Sequence, residues 1–415
     1  MLPEGWRQLR LGELVASLDA GVSVNAEDRP AQLGEMGVLK ISAVTSGTFD
    51  GSQNKVIRQA ELGRAAINPS ADRILVSRCN TEALVGASAY VANHFPNLYL
   101  PDKLWQVEPA KQNPLHMRWL SFWLASQATR EKLSSLATGT SGSIKNITKE
   151  QLLAMDVPVP PVLEQRRIAR VLSTWDQAIA TTERLLANSR KQKQAMVFEL
   201  VLAHTKNQAW PMVPIEQLTD RIQRIAEKKP AQIPVLMISS GCGFVRQDEK
   251  YGRFMAGKSL ENYILLKKGE FAYNKGNSKS YEFGCVFPLE AYAQGLVPHV
   301  YVCFRLKKQF DESFYRHLFA ADFLHDQLGA LVNTGVRNNG LLNIRPESFF
   351  GCKVPVPPIG EQRRIAGALQ TATEWIALHE KSIRLLRAEK AALMAQLLTG
   401  QRRVRLPAPA VEVGT

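Results

Sequence analysis

Two stretches of the chain place mostly apolar residues at alternating spacings of four and three, which is the pattern of a helix face that packs along a partner helix. This pattern predicts two helices of about 40 residues, each roughly 60 Å long. The predicted seam positions are Ile168, Leu172, Trp175, Ile179, Leu186 and Leu200 in the first helix, and Ile365, Leu369, Ile376, Ile383, Leu386 and Leu397 in the second. Matching seams favour an antiparallel coiled coil; the alternative is that each helix packs on its own globular domain.

Both predicted helices begin at nearly the same sequence. VPVPPVLEQRRIA occupies 157–169 and VPVPPIGEQRRIA occupies 354–366, with 11 of 13 positions identical. Proline suits the start of a helix, where its missing N–H would have no partner. Glu164 and Glu361 fall in the first turn, where the helix dipole favours negative charge. The repeated stretch therefore predicts the same helix start used twice.

The repetition extends over most of the chain, which predicts a duplicated half-protein rather than a solenoid of short repeats. Pairs of similar segments are VLKISAV and VLMISSG, DRILVSRCN and GEFAYNKGN, and the Thr-Gly and Asn-Ile dipeptides before each proline pair. Mixed strand-like runs and amphipathic helices between these segments predict an α+β or α/β fold. The predicted divisions are globular domains 1–160 and 204–357, helical regions 161–203 and 358–400, and an unstructured tail 401–415.

The chain of 415 residues has a net charge of +14 and a pI of about 9.6. A surplus of this size indicates a polyanionic partner, most simply double-stranded DNA, although a generally basic soluble protein is the alternative. The five cysteines form no C-x-x-C pair, so neither a zinc site nor a disulfide framework is expected. We find no signal-like start and no uncharged apolar run long enough for a bilayer, so we expect a cytoplasmic protein and no membrane partner.

One stretch satisfies the phosphate-binding pattern G-x-x-x-x-G-K-S, namely GRFMAGKS at 252–259. That site requires a buried apolar strand before the loop, and the preceding FVRQDEKY is polar. The stretch also has no counterpart in the first half, so we interpret it as a basic surface loop. Dinucleotide, adenine-methyltransferase and metalloprotease motifs are absent as well. We therefore predict a binding protein with no catalytic, cofactor-binding or metal-binding residues.

Polar loops at equivalent places in the two halves carry the residue types that read base edges, since Arg and Lys suit guanine, and Asn and Gln suit adenine. Ordinary solvated turns have a similar composition, and this interpretation stays open. The candidate DNA-binding residues are Arg78, Asn80, Ser141, Lys145 and Asn146 in the first half, and Tyr273, Asn274, Lys275, Asn277, Lys279, Arg337, Asn338 and Asn339 in the second.

The doubled proline-to-EQRRIA junction, the long helices after it and the Thr-Gly and Asn-Ile segment before it resemble the specificity subunit (HsdS) of type I restriction–modification systems. The resemblance covers nearly the whole chain. It implies two target-recognition domains that each read half of a split DNA site, joined by an antiparallel coiled coil that sets the spacer. It implies a pseudo-two-fold repeat with no catalysis in this chain.

The same resemblance implies the partners. Two methyltransferase (modification) subunits would dock on the helices, and restriction/translocase subunits would join them. S-adenosylmethionine, ATP and Mg²⁺ would then belong to those partner subunits rather than to this chain. Base-contacting residues cannot be transferred from the family. The alternatives are a stand-alone DNA-binding regulator, a recognition subunit of a related defence system, or an enzyme acting at 252–259.

Overall fold

The structure is a computed structural model that describes residues 2–139, 144–203, 210–225, 233–239, 241–251, 262–276, 278, 280–332 and 342–404. The chain divides into two compact units. Unit 1 comprises Met1–Glu183 and Lys381–Thr415, and unit 2 comprises Arg184–Glu380. The division passes through both long helices, so each unit contains one globular domain and a portion of each helix.

Unit 1 is built around a four-stranded antiparallel sheet, with smaller sheets beside it. The central order is β2-β10-β6-β8, from β2 (Val15–Ala20), β10 (Leu104–Pro109), β6 (Arg73–Ser77) and β8 (Ser88–Val91). The other sheets pair β1 (Arg7–Arg10) with β12 (Asp156–Val159), β7 (Cys79–Asn80) with β11 (Lys145–Asn146), and order β3 (Ala26–Glu27), β5 (Asn54–Ile57), β4 (Gly37–Leu39) and β9 (Leu98–Tyr99). Its helical segments outside the long helices are Leu11–Leu14, Ser42–Thr45, Gln59–Arg64, Met117–Ala125, Gln127–Leu136 and Lys149–Leu153.

Unit 2 repeats the central arrangement with its own strands. The four-stranded order is β14-β21-β18-β19, from β14 (Thr219–Ile222), β21 (Val302–Leu306), β18 (Phe271–Asn274) and β19 (Cys285–Pro288). The two-stranded pairs are β13 (Met212–Pro214) with β22 (Lys353–Pro355), β15 (Leu236–Ser239) with β16 (Gly243–Arg246), and β17 (Ile264–Lys267) with β20 (Gln294–Val297). Its shorter helices are Ile215–Leu218, Gln247–Tyr251, Glu312–Ala320, His325–Leu331 and Pro346–Gly351.

The first long helix spans Val162–Val197 and continues as a π-helical turn over Phe198–Leu202, and the second spans Ile359–Leu398. Together with the matching sheet orders, these helices confirm the predicted mixed helix-and-sheet fold and its internal repeat. DRILVSRCN and GEFAYNKGN supply β6 and β18, which are equivalent inner strands of the two four-stranded sheets. Within the described residues, no helix combines the length and the apolar character needed to span a bilayer.

Inside each unit the two long helices run in opposite directions. In unit 1, Asp176 pairs with Lys390 at 2.5 Å, and Glu183 further along the first helix pairs with Arg387 at 2.6 Å, earlier on the second. In unit 2, Arg190 pairs with Glu380 at 2.7 Å. The two more exposed pairs, Glu183–Arg387 and Arg190–Glu380, contribute little energy each. They do fix the register, because moving one helix by a turn would separate every charge from its partner.

The predicted seam positions lie on the inward side of the helices and none is exposed. The deeply buried ones are Ile168, Leu172, Ile365, Leu369, Ile383 and Leu397, and the half-buried ones are Trp175, Ile179, Leu186, Leu200, Ile376 and Leu386. The first turns of each helix also enter the core of the adjoining domain: Ile168 and Leu172 share the unit 1 core, and Ile365 and Leu369 share the unit 2 core. Both predicted modes of packing, on the partner helix and on the adjoining domain, therefore coexist.

A buried glutamine joins each long helix to its domain. Gln165 accepts a hydrogen bond from the backbone N–H of His116 at 2.8 Å and donates to the carbonyl of Pro160 at 2.9 Å. Gln362 accepts from the N–H of Asp311 and donates to the carbonyl of Pro357, both at 2.8 Å. His116 and Asp311 cap the helices Met117–Ala125 and Glu312–Ala320. We call each of these arrangements a glutamine bridge, because one side chain links the proline turn, the long helix and the domain helix.

The neighbouring glutamate behaves differently in the two copies. Glu164 is 1% exposed, accepts from Trp6 Nε1 at 3.1 Å, and forms an ion pair with Arg403 at 2.7 Å. Glu361 is half-buried, with 29% of its side chain exposed, and pairs with Arg364 on its own helix. The sequence assigns 401–404 to an unstructured tail, and this is corrected by the structure, since Arg403 is held by Glu164.

Replacing Gln165 with Met should destabilise the chain by about 2–4 kcal/mol. Two backbone groups, the N–H of His116 and the carbonyl of Pro160, would lose their partner, and each such loss costs about 1–3 kcal/mol. Urea denaturation of the full chain measures the change. Gln177→Met on the exposed side of the same helix is the matched control and should leave the midpoint unchanged. Equal midpoints for both variants would show that the bridge contributes nothing.

Arg403→Gln should destabilise the chain by about 3 kcal/mol, because Glu164 would remain buried without a cation. Differential scanning calorimetry of the full chain measures the loss. Arg364→Gln removes the surface partner of Glu361 and should have little effect. If both variants lowered the stability by the same small amount, the buried Glu164 would not require Arg403 as its ion-pair partner.

Candidate nucleic-acid interface

In unit 1, two predicted loops meet at the end of an inner strand. After β6 the chain continues through Arg78 into β7, and β7 pairs antiparallel with β11 so that Asn80 faces Lys145 in register. The N–H of Ile147 donates to the carbonyl of Arg78 at 2.9 Å and closes the junction. Four candidate residues, far apart in sequence, therefore lie on one small β-ribbon: Arg78, Asn80, Lys145 and Asn146.

The polar side chains of the ribbon differ in the hydrogen bonds that they already form within the protein. Asn80 Oδ1 accepts from the N–H of Thr81 at 2.8 Å, which orients the side-chain amide. Lys145 Nζ donates to the carbonyl of Gly139 at 2.9 Å, and Asn146 is exposed. Arg78 is 3.6 Å from Asp102, and its buried Nε has no protein partner within the described residues. These groups match the donors and acceptors that base edges and phosphates require.

Unit 2 has the same junction at the end of its inner strand β18. The N–H of Leu342 donates to the carbonyl of Lys275 at 3.0 Å, as Ile147 does to Arg78 in unit 1. Asn274 Oδ1 accepts from the N–H of Gly276 at 3.0 Å and shapes the turn that follows the strand. Asn274 and Lys275 are both half-buried. The remaining candidates, Ser141, Asn277, Lys279, Arg337, Asn338 and Asn339, lie outside the described residues, as does the 252–259 stretch.

Tyr273 does not belong with the candidate DNA-binding residues, and this expectation is corrected. Its side chain is fully buried, stacks on Phe349 with ring centroids 4.5 Å apart, and donates to the carbonyl of Phe283 at 2.8 Å. Burial raises the pKa of its hydroxyl. Tyr273 is a core residue of unit 2, because every second residue of β18 points into the aromatic cluster.

The loop next to the unit 1 ribbon is held by residues that the sequence did not single out. Arg130 on helix Gln127–Leu136 donates to the carbonyls of Val85 at 2.6 Å and Ala83 at 3.1 Å. Ser134 on the same helix donates to the carbonyl of Glu82 at 3.0 Å. Their helical spacing places both side chains on one face of the helix. No local sequence pattern predicts which loop that face contacts.

A family model described as the type I restriction modification DNA specificity domain matches residues 3–188, which include the ribbon and the start of the first long helix. The match covers less than half of the chain, and it is to the family that the sequence resembles, the type I restriction–modification specificity subunits. This confirms the resemblance drawn from the doubled helix start.

Several proteins with similar sequences are specificity subunits of type I restriction enzymes. The chain is 27% identical over 197 residues to the Type I restriction enzyme EcoEI specificity subunit of Escherichia coli, an alignment that covers 47% of this chain and 32% of the relative. It thus spans about a third of the EcoEI subunit's length in that match. It is 22% identical to the EcoKI specificity subunit of Escherichia coli K12, over 92% of this chain and 85% of that one.

The fold also matches a solved structure. The type I restriction–modification S subunit from M. genitalium superposes with a TM-score of 0.59 at 16% identity, covering 96% of this chain and 97% of that one. At this identity the match supports the fold of the specificity subunit. The proposed contacts with DNA therefore rest on the residues of this chain alone.

The described residues of the chain contain no group of three or more His, Cys, Asp or Glu that could hold a metal ion. Burial raises the pKa of the thiols of Cys79 and Cys352, and raises those of Cys285 and Cys303 to about 12. A thiol with a raised pKa stays protonated at neutral pH and is a poor nucleophile. These cysteines are therefore packing residues.

Tyr273→Phe should lower stability by about 1 kcal/mol, the usual net contribution of a single hydrogen bond, and leave DNA binding unchanged. Fluorescence anisotropy with the DNA target and urea denaturation measure the two quantities on the same protein. Tyr99→Phe, which removes a hydroxyl that has no hydrogen bond within the described residues, is the control. If Tyr273→Phe lowered the DNA affinity and the control did not, Tyr273 would be a DNA-contacting residue after all.

Proposed function

We propose that this chain is the specificity subunit, the non-catalytic DNA-recognition subunit, of a cytoplasmic type I restriction–modification complex. It reads a split site of two short half-sites around a spacer of fixed length. The target-recognition domains are residues 1–160 and 204–357, and the long helices between and after them set the spacing. Its relatives are named specificity subunits of type I restriction enzymes, which supports this assignment.

The observation that carries the proposal is the repeated junction at the end of β6 and β18. In each unit, a polar segment that precedes the proline turn is hydrogen-bonded to the residue that follows an inner strand, Arg78 or Lys275. Equivalent framework with different side chains suits two domains that read different base sequences. Loops held on rigid sheets are also the usual position of recognition residues.

The electrostatics suit DNA as the ligand. The net charge of +14 favours association with a polyanion and makes the affinity fall with salt. Arg78, Lys145 and Lys275 lie at the two junctions, where they supply cations close to the amides of Asn80, Asn146 and Asn274. We assign the cations to phosphates or guanines and the amides to adenines.

The long helices supply a surface for protein partners. Trp375 and Leu378 on the second helix are 54% and 51% exposed, and Phe198 on the π-helical turn is 47% exposed. Large apolar side chains grouped on a solvent-facing helix indicate a protein interface. We assign this surface to the methyltransferase subunits, which would bring S-adenosylmethionine, while restriction subunits would bring ATP and Mg²⁺.

The methylome tests the proposal as a whole. The chain is expressed in a methylation-free host together with the methyltransferase subunit encoded by the neighbouring gene. Modified adenines are then mapped across the host genome. We expect a motif of two defined halves around a fixed undefined gap, with one methylated adenine in each half. A continuous motif would contradict reading by two domains.

Asn80→Ala should relax one half of that motif and leave the other half unchanged. A lost base contact is worth about 1–3 kcal/mol of discrimination at the position it reads. Methylome sequencing of the variant gives the change, and Asn188→Ala, at an exposed site of the first long helix, is the control. Relaxation of both halves, or of neither, would remove Asn80 from the reading surface of the first domain.

A further inference from the structure

The helix seam in unit 1 contains a cluster of one carboxylate and two cations, in which the carboxylate pairs with both cations. Asp176 accepts from Arg118 Nη2 at 2.7 Å and from Lys390 Nζ at 2.5 Å. Both cations also face the ring of Phe122, with Arg118 Cζ at 4.6 Å and Lys390 Nζ at 5.2 Å from its centroid. One carboxylate and an aromatic face therefore stabilise two partly buried cations, each of which has a direct partner.

The equivalent place in unit 2 has lost the carboxylate. The two helix starts at Val157 and Val354 align Lys193 with Lys390, and Thr373 with Asp176. Thr373 carries no charge, and its hydroxyl donates to the carbonyl of Leu369 at 2.8 Å on its own helix. The lysine is thus retained while its partner is missing.

The neighbouring cation does not compensate for this loss. Arg316, on helix Glu312–Ala320, pairs with Glu290 at 2.5 Å and also donates to Gln370. Arg316 carries the same sign as Lys193, and burial together with Arg316 lowers the pKa of Lys193. Within the part of the chain that the structure describes, Lys193 forms no ion pair or hydrogen bond. A half-buried lysine in this state is destabilising unless an anion approaches it.

Lys193 lines a cavity of about 920 Å³ in unit 2. The cavity wall is apolar along Val197, Phe198 and Leu202 of the first long helix, and Ile376 of the second. The π-helical turn Phe198–Leu202 contributes Phe198 and Leu202 to this wall, and such turns frequently occur at functional sites.

Other charged groups on the wall already have partners. Arg190 is paired with Glu380, and Asp322 with His325 at 3.0 Å. Glu199 also has an interaction of its own. His317 is buried, and its pKa of about 4 leaves it neutral at pH 7, because burial, Arg316 and Lys193 all oppose its protonation. Lys193 and the exposed Lys191 are therefore the cations on this wall that remain to meet an incoming anion.

We propose that this cavity receives an acidic side chain carried on an apolar segment of a protein partner, which supplies from outside the carboxylate that Asp176 supplies in unit 1. The volume far exceeds that of one small anion, and the apolar wall suits a peptide rather than a free ion. Exposed Trp375 and Leu378 lie on the same helix as Ile376, so the interface continues beyond the cavity. Naming the methyltransferase subunit as this partner rests on the proposed function.

The two units therefore dock their partners through different chemistry. Docking at unit 2 depends on an ion pair formed only in the complex, and it weakens as salt rises. Docking at unit 1 meets a seam whose two cations already have Asp176 as an ion-pair partner. An otherwise symmetric complex would thus load its two methyltransferase subunits with unequal affinity, and the difference would shrink at high salt.

Two variants of the full chain test this proposal. Lys193→Met removes the cation while keeping the bulk of the side chain, and Thr373→Asp builds the internal carboxylate found in unit 1. The matched controls are Lys308→Met and Thr48→Asp, at exposed positions outside the long helices. Calorimetric titration of the purified methyltransferase subunit into each variant, at low and moderate KCl, measures the two binding steps.

We expect Lys193→Met and Thr373→Asp each to weaken one of the two steps by at least about tenfold, equivalent to about 1.4 kcal/mol, and to reduce its salt dependence. The controls should match the wild type. Both variants should also raise the melting temperature of the chain without its partner, because the unbalanced cation is removed or neutralised. A purely structural role of Lys193 would instead lower that temperature.

Unchanged binding steps in both variants would overturn the proposal. A rise in melting temperature with inorganic phosphate that requires Lys193, without any effect of Lys193→Met on subunit binding, would assign the cavity to a small anion and also overturn it. Failure of the wild-type chain to bind the methyltransferase at all would refute the proposed function itself, while the melting temperatures of the variants would still report on the unbalanced lysine.

Discussion

The structure depends on a glutamine that is buried where a globular domain meets its long helix. Gln165 and Gln362 each bind a proline-turn carbonyl on one side and a helix-capping N–H on the other. Because both backbone groups are removed from bulk water, the domain cannot rotate about its helix without leaving them unpaired. A domain attached in this way keeps its loops at a fixed angle to the helix, as the proposed DNA recognition requires.

The same duplicated framework carries different chemistry in its two copies. Glu164 is fully buried against Trp6 and Arg403, whereas Glu361 is half-buried and pairs with Arg364. A lysine on the seam is neutralised in unit 1 and unbalanced in unit 2. Duplication thus preserved the elements that position the domains, and the side chains that contact ligands and partners diverged. This division of roles fits a protein that must hold one geometry while reading two sequences.

Local pattern predicted much of the fold. The seam spacing gave both long helices, and the paired segments gave the equivalent strands β6 and β18, because these features depend on periods of a few residues. The partner of Glu164 lies 239 residues away, so no local signal identified Arg403. Tyr273 was misassigned because a polar tip suggested a surface role, although its place in β18 directs the ring into the core. Arg130 was overlooked, since its function depends on which loop the folded chain brings beside it.

The most direct measurement is the affinity of the assembled subunits for duplexes that differ only in spacer length. One inserted base pair moves the second half-site by about 3.4 Å and turns it by about 34°, which is too far for a loop fixed on a rigid sheet to follow. If the two domains read as one rigid pair, the affinity should fall on the order of 100-fold, because the contacts of one half-site are lost. Equal affinity across spacer lengths would contradict rigid two-domain reading.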